Sequence, residues 1–334
     1  MLSKDMMSDQ PILVTGAAGF IGFHVARRLL AEGRAVVGLD NLNDYYDPAL
    51  KAARLDILRG EPRFAFEQID LADRASMERL FTKHRFAKVI HLAAQAGVRY
   101  SIDHPHAYVD ANLAGFVNVL EGCRHHGCGH LVYASSSSVY GANTKLPFSV
   151  GDKTDHPVSL YAATKKANEL IAYSYSHLYR LPVTGLRFFT IYGPRGRPDM
   201  AIFMFTKAIL EGKAIKLFNH GRMRRDFTYI DDVSNVVLKI VDLAPRAGEA
   251  GVAPAQVYNV GNRRPEDLMH VVKVMEKELG RAAVAQMLPM QPGDVMETYA
   301  DIDDLTRDVG FRPATSIEDG IRAFVAWYRE HYRI

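Results

Sequence analysis

The chain has 334 residues, enough to bury a sizeable core, and its 48% hydrophobic and 24% charged composition sets aside disordered and fibrous classes. Its 41 basic residues are nearly balanced by 38 acidic ones, so a net charge of +3 argues against nucleic acid as a partner and makes any anion site local. The two cysteines, Cys123 and Cys128, are too few for a disulfide framework or a metal site, and no apolar run has membrane-spanning length. The polar opening from Met1 to Gln10 reads as a loose tail rather than a signal peptide, which makes the cytoplasm the expected address.

From Pro11 to about Thr190, short β-branched runs alternate with longer amphipathic stretches, the pattern of parallel strands joined by helical crossovers. The apolar runs Ile12–Val14, Ala35–Leu39, Lys88–Leu92, His130–Ala134 and Pro182–Phe188 are predicted strands, and His24–Glu32 and Ala111–Cys123 are predicted helices. The fold class is therefore α/β, a Rossmann-type doubly wound parallel sheet. After Tyr192, glycine and proline become denser, which predicts a smaller, loop-rich C-terminal lobe; Ala244–Ala255 reads as a surface loop before a strand at Gln256–Val260. The expected division is a dinucleotide-binding domain over 11–190 and a substrate lobe over 191–334, with part of 226–262 returning to the main domain.

The first strand runs into Thr15-Gly16-Ala17-Ala18-Gly19-Phe20-Ile21-Gly22, which opens a helix. Glycines there allow a tight turn and let backbone approach a pyrophosphate at the helix N-terminus. Gly16, Ala18, Gly19, Phe20, Ile21 and Gly22 are accordingly candidate cofactor-binding residues. Asp40 ends the next strand, where a carboxylate can accept both ribose hydroxyls of an adenosine and repel a 2′-phosphate; NAD is thus expected over NADP, with Asn41 assisting.

Further along, Tyr161 and Lys165 stand four apart on one helical face, and the strand before them ends in Ser135-Ser136-Ser137-Ser138-Val139-Tyr140-Gly141. A phenol acts as a base only after losing its proton, and a nearby ammonium makes that loss easier. No second histidine or cysteine constellation competes for a catalytic role, and no metal is expected.

The glycine spacing and the Tyr161–Lys165 pair together resemble the extended short-chain dehydrogenase/reductases. Several blocks narrow the likeness to the NAD-dependent nucleotide-sugar epimerases, and within them to UDP-glucuronate 4-epimerases: Asp40-Asn41-Leu42-Asn43-Asp44-Tyr45-Tyr46-Asp47, Ala93-Ala94-Gln95-Ala96-Gly97-Val98-Arg99-Tyr100-Ser101, Arg187-Phe188-Phe189-Thr190-Ile191-Tyr192-Gly193-Pro194, and Gly196-Arg197-Pro198-Asp199-Met200-Ala201. The resemblance implies that Tyr161 is the base, that Lys165 also holds the nicotinamide ribose, and that Ser136 shares the sugar hydroxyl with Tyr161. It implies Asp70 and Leu71 beside the adenine, and Leu92, Ala93 and Ala94 along the cofactor channel.

For a UDP-sugar, the resemblance puts the uracil near Phe218, the diphosphate near Arg225 and the nucleotide ribose at Asp294, with Arg99 also on the substrate side. Ser137, Ser138 and Thr190 would grip a sugar carboxylate, with Arg197 near enough to supply charge. Related decarboxylases and dehydratases tend to carry an acid just before Val139, where this chain has Ser138. The expected activity is 4-epimerisation of a UDP-sugar, UDP-glucuronate to UDP-galacturonate, against two alternatives: a neutral UDP-sugar epimerase or UDP-glucuronate decarboxylase, and a non-catalytic NAD-sensing protein. No membrane partner is expected. A homodimer is, built on helices near Ala111–Cys123 and Tyr161–Tyr179.

Overall fold

The computed structural model describes residues 10–248, 251–290 and 296–334. Most of the expected tail and Asp294 lie outside the described residues. The chain divides into two compact units, the first comprising 1–143, 153–187 and 234–258, the second 144–152, 188–233 and 259–334.

The first unit is a layered α/β structure. Its elements run β1 (Ile12–Thr15), α1 (Phe20–Ala31), β2 (Val36–Asp40), α2 (Pro48–Arg59), β3 (Phe64–Gln68), α3 (Arg74–His84), β4 (Lys88–His91), α4 (Gly115–His125), β5 (His130–Ser136), α5 (Leu160–Tyr179) and β6 (Val183–Phe188). The sheet order is Ala255–Val260, β6, β5, β4, β1, β2, β3, and the pairs β1–β2, β1–β4, β2–β3 and β4–β5 are parallel. Ile12 lies in register with Val36 on one side and Lys88 on the other. Strands covered on both faces can be apolar throughout, which is why β1, β2 and β6 are buried along their whole length. Leu13, Val37, Val89 and Leu131 from the sheet meet Phe81, Phe116 and Leu120 from α3 and α4 in one core.

The strand order reverses between β1 and β4, and ligands of such sheets bind beyond the carboxyl ends of the strands near that switch point. Gly16, Asp40, Leu92 and Ser136 all stand at this edge, at or just past the ends of β1, β2, β4 and β5.

Two boundaries differ from the sequence reading, each for a physical reason. α1 starts at Phe20 rather than His24, because Phe20 and Phe23 are buried against the sheet and belong to the helix's inner face. The helix predicted from Ala111 is preceded by a π-helical turn, Val109–Ala114, before regular α4 begins.

The second unit holds a four-stranded sheet of Thr190–Tyr192, Arg224–Tyr229, Pro265–Asp267 and Glu297–Thr298, and a parallel pair of Ala214–Leu217 with Val284–Met287. Helices Ala201–Glu211, Leu268–Leu279 and Ile317–Tyr332 pack together, with Phe203 meeting Phe324, Trp327 and Tyr328 edge-on or tilted. Dense glycine and proline after Tyr192 therefore punctuate regular elements rather than replace them. Among the described residues no helix is long and apolar enough to cross a membrane.

Candidate active site

The dinucleotide end is shaped by glycines that have no room for side chains. A Cβ on Gly16, whose φ is +72°, would stand 2.8 Å from the Ala93 nitrogen, and one on Gly22 would stand 2.0 Å from the Gly16 carbonyl oxygen. Gly19 caps α1 without a side-chain bond, so the first amides of a 12-residue helix face the turn without an internal acceptor. Thr15 ties this turn to the end of β4: its Oγ1 accepts from the amides of Leu92 (3.2 Å) and Ala93 (3.1 Å) and lies 2.9 Å from His91 Nδ1.

Asp40 is 7% exposed at the end of β2, one carboxylate oxygen accepting from the Leu42 amide at 2.9 Å. Asn41 donates to Asp70 across 2.9 Å, which joins two of the expected adenosine contacts. A glycine cradle under a helix N-terminus with a buried carboxylate at the next strand end fits a dinucleotide with an unmodified ribose.

The candidate chemical centre lies on β5 and α5. Lys165 is 2% exposed and donates from Nζ to the Ala134 carbonyl at 2.9 Å, two residues before Ser136. Burial pushes its ammonium down to about 8. His91 is driven to about 3, first by burial and then by the Lys165 charge, so it stays neutral beside that ammonium. Ser136 closes β5 with its Oγ 3.1 Å from Ser138 Oγ, accepting from the Ser138 amide at 3.2 Å; Ser137–Tyr140 form a single 3₁₀ turn. Tyr161, in the first turn of α5, packs edge-on to Tyr108 at 6.1 Å.

Three groups that the sequence reading did not single out hold this centre. Asn112, in the π-helical turn, accepts from the Gln95 amide (2.8 Å), donates to the Gln95 carbonyl (3.0 Å) and donates to Thr164 Oγ1 (3.1 Å), while its own carbonyl accepts from Asn168 at 2.6 Å. π turns inside helices often mark functional sites. Glu169 and Arg187 form a buried bidentate pair at 2.8 Å, and Glu169 also accepts from Ser135 at 2.7 Å. Burial works to raise the Glu169 carboxyl, but Arg187 and Ser135 hold it below its ordinary value. Position 169 repeats the four-residue step from 161 to 165, so an acid on that buried face was itself a signal that a cation must oppose it.

The second unit carries the other predicted contacts. Thr190 and Arg197 line a common pocket, open to solvent, with Tyr192, Met200, Phe203 and Phe324. Arg197 is already engaged, forming a fork with Asp199 (3.0 and 2.6 Å), so its charge is largely matched within the unit. Phe218 is half-buried in the turn after Ala214–Leu217. Arg225 is half-buried on the strand Arg224–Tyr229 and donates to the Met296 carbonyl at 3.0 Å. Beside it Asp226 is fully buried and accepts from the amides of Asn262, Arg263 and Ala300, pinning two loops to the strand. Arg99 is exposed in the first unit, as the residue before the short helix Tyr100–Asp103. The structure thus brings Ser136, Ser137 and Ser138 together in one unit and Thr190 and Arg197 in the other.

A doubly wound sheet with a glycine cradle at its first crossover and a Tyr-Lys helix beside a serine-ended strand defines a dinucleotide-dependent enzyme of the short-chain dehydrogenase/reductase type. The chain belongs to the NAD dependent epimerase/dehydratase family, whose model matches residues 12–261. It is 50% identical over 331 residues to UDP-glucuronate 4-epimerase 4 of Arabidopsis thaliana, covering 96% of this chain and 76% of that one. It is 49% identical over 332 residues to a probable UDP-glucuronate 4-epimerase of Rhizobium meliloti (strain 1021), covering 96% and 97%. A crystal structure of UDP-glucuronic acid 4-epimerase from Bacillus cereus in complex with UDP-glucuronic acid and NAD matches with a TM-score of 0.88 and 32% identity, covering 96% of this chain and all of that one.

Proposed function

We propose that the chain is an NAD-dependent UDP-glucuronate 4-epimerase that interconverts UDP-glucuronate and UDP-galacturonate through a transient 4-keto sugar. The observation that carries this is a buried Lys165 held to the end of the Ser136 strand, one helical turn after Tyr161, on a family-typical cofactor fold whose half-identical relatives bear that name. The glycine turn, Asp40 and Asn41 hold NAD, with Asp70 and Leu71 at the adenine and Leu92, Ala93 and Ala94 along the channel. Bound NAD supplies a hydride acceptor for C4 that is regenerated when the hydride returns. Tyr161 takes the C4 hydroxyl proton, and the Lys165 ammonium beside it favours the phenolate. Ser136 holds the same hydroxyl, while the carbonyl of Ala134 and the Asn112 network keep Lys165 and α5 in place. The keto sugar turns over to present its other face to the returning hydride, and Tyr161 gives the proton back to the C4 oxygen.

A 4-keto uronate is a β-keto acid and loses carbon dioxide when the carboxylate bond aligns with the carbonyl. Ser137, Ser138 and Thr190 hold the carboxylate out of that alignment, hydroxyls being good donors to an anion. Since Asp199 matches Arg197, the grip rests on hydroxyls more than on a guanidinium. Phe218, Arg225 and Asp294 hold the nucleotide, with Arg99 also on the substrate side.

Incubation with UDP-glucuronate and, separately, UDP-glucose, with products identified by NMR, tests the reading. UDP-galacturonate from the first and little turnover of the second are expected; preference for UDP-glucose overturns it. The working form is a cytoplasmic homodimer: Leu170 (61% exposed), Tyr173 (55%) and Leu178 (66%) leave α5 with an uncovered apolar surface suited to a second copy. Light scattering at micromolar concentration should give twice the monomer mass.

A further inference from the structure

The carboxylate at the end of β2 does not stand alone. Two cations from the buried face of α2, Lys51 and Arg54, reach into the same region, and they are 5% and 0% exposed. Lys51 Nζ donates to the carbonyl oxygen (2.8 Å) and side-chain oxygen (2.7 Å) of Asn43 and stands 3.9 Å from an Asp40 oxygen. Arg54 donates to the Ala18 carbonyl in the glycine turn at 2.9 Å and to the Tyr46 hydroxyl at 2.8 Å. Both cations flank the Tyr46 ring, at 5.1 and 5.6 Å.

Buried ammonium and guanidinium groups are costly where aliphatic side chains would pack as well. Arg54 is accounted for by the carbonyl of the cofactor turn. Lys51 is accounted for only in part, because its backbone partner needs a donor rather than a charge. Its charge faces Asp40, with Asp44 acting from an exposed position, and burial lowers the ammonium while Asp40 sustains it. Two buried cations against one buried carboxylate leave a surplus of one positive charge here, and loss of Asp40 raises it to two.

We propose that Lys51 is a latent determinant of cofactor choice: its ammonium is masked by Asp40 in the native site and becomes the binding cation for a 2′-phosphorylated adenosine once that carboxylate is removed. This rests on the reading of Asp40 as the ribose-binding carboxylate. Rejection of NADP is then set by one removable anion in front of a standing cation, and repulsion by Asp40 is only half of the account. An arrangement without Lys51 would lose selectivity on removal of Asp40 but gain no affinity for the phosphate.

The test is calorimetric binding of NAD, NADP and adenosine 2′,5′-bisphosphate to the full chain freed of nucleotide, in the parent, Asp40→Ala, Lys51→Met and the double variant, with circular dichroism confirming the fold. Asp40→Ala should weaken NAD and strengthen NADP and the bisphosphate by about tenfold or more, the worth of a charge-assisted contact. Adding Lys51→Met should erase that gain while changing NAD much less, so that the NADP to NAD ratio falls back; general loosening would lower both ligands together. Lys51→Gln in place of methionine should give the same ratio. A gain in NADP that survives loss of Lys51, or no gain although NAD is weakened, overturns the proposal. Unchanged NAD affinity in Asp40→Ala overturns it differently, by removing the ribose reading on which it stands.

Discussion

The two units hold their functional groups by opposite means. In the first, the candidate reactive centre is built from buried polar groups tied to one another and to backbone: Lys165 to Ala134, Asn112 to Gln95 and Thr164, Glu169 to Arg187 and Ser135. In the second, the groups expected to meet the nucleotide and sugar are half-buried and lean on near neighbours, Arg197 on Asp199 and Arg225 on the carbonyls of Arg224 and Met296. Precision is concentrated where the chemistry demands it. The proposed proton and hydride movement would tolerate little displacement, which fits groups locked at a cost in desolvation. Recognition of a sugar can use groups that remain partly in water.

The proposed base should give the largest response to a single change. Tyr161→Phe should cut kcat by ~10²–10⁴-fold with NAD binding almost unchanged, since only the proton acceptor is lost. Steady-state kinetics beside NAD titration checks it, and activity within tenfold of the parent would sink the role.

Ion pairs set the two units directly against each other. Glu169→Ala strands the buried Arg187 guanidinium and should destabilise the protein by roughly 3–5 kcal/mol. Asp199→Ala releases a pair whose side chains are 25% and 31% exposed and should cost about 0–1 kcal/mol. Equal losses in urea unfolding would erase the distinction between locked and leaning groups.

Lys165 extends the point because its burial works against folding. Its folded value of about 8 lies below the ordinary 10.5, so between those values the unfolded chain binds the extra proton and stability should rise with pH. Below that window the buried ammonium costs roughly 3 kcal/mol, at about 1.4 kcal/mol for each tenfold loss of proton affinity. Lys165→Met should therefore be inactive yet more stable near neutral pH, and its unfolding free energy should lack the rise between pH 8 and 10.5. Melting curves of the nucleotide-free protein across that range decide it.

The smallest effect is expected at the hydroxyls proposed to hold the sugar carboxylate. Ser137→Ala and Thr190→Ala should each raise KM for UDP-glucuronate about tenfold, the worth of one charge-assisted bond, and increase the share of decarboxylated pentose. Parental KM and no extra carbon dioxide in both would return the choice of sugar to a neutral one.

Much of this was legible along the chain because it is local. The glycine turn, Asp40 at a strand end and Tyr161 with Lys165 are fixed by spacings of a few residues, which backbone geometry makes readable. Asn112 was not, because its role depends on a π-helical turn that no periodicity announces. Arg187 meets Glu169 because α5 lies over β5, where Glu169 also takes Ser135, and β6 is the neighbour of β5, a fact of tertiary packing rather than of pattern. Thr190, Arg197, Phe218 and Arg225 were named through family likeness alone. Nothing in their own neighbourhoods distinguishes a ligand contact from a solvated surface, and the Arg197–Asp199 fork was invisible to that likeness.

The π-helical turn at Val109–Ala114 is also a statement about chain length. A helix carrying one residue more than its regular ladder accommodates can be mended by deleting one, and the mended helix would have better hydrogen bonds than the native one. Deletion would also rotate everything before it by about 100° relative to Gly115–His125, one residue's share of a turn. The Asn112 amide would then swing away from Gln95 and Thr164, and Tyr108 away from the ring of Tyr161. The surplus residue behaves as a spacer whose removal repairs a helix and misaligns the Asn112 network, so descendants of this chain can vary the turn's letters other than Asn112 far more freely than its count.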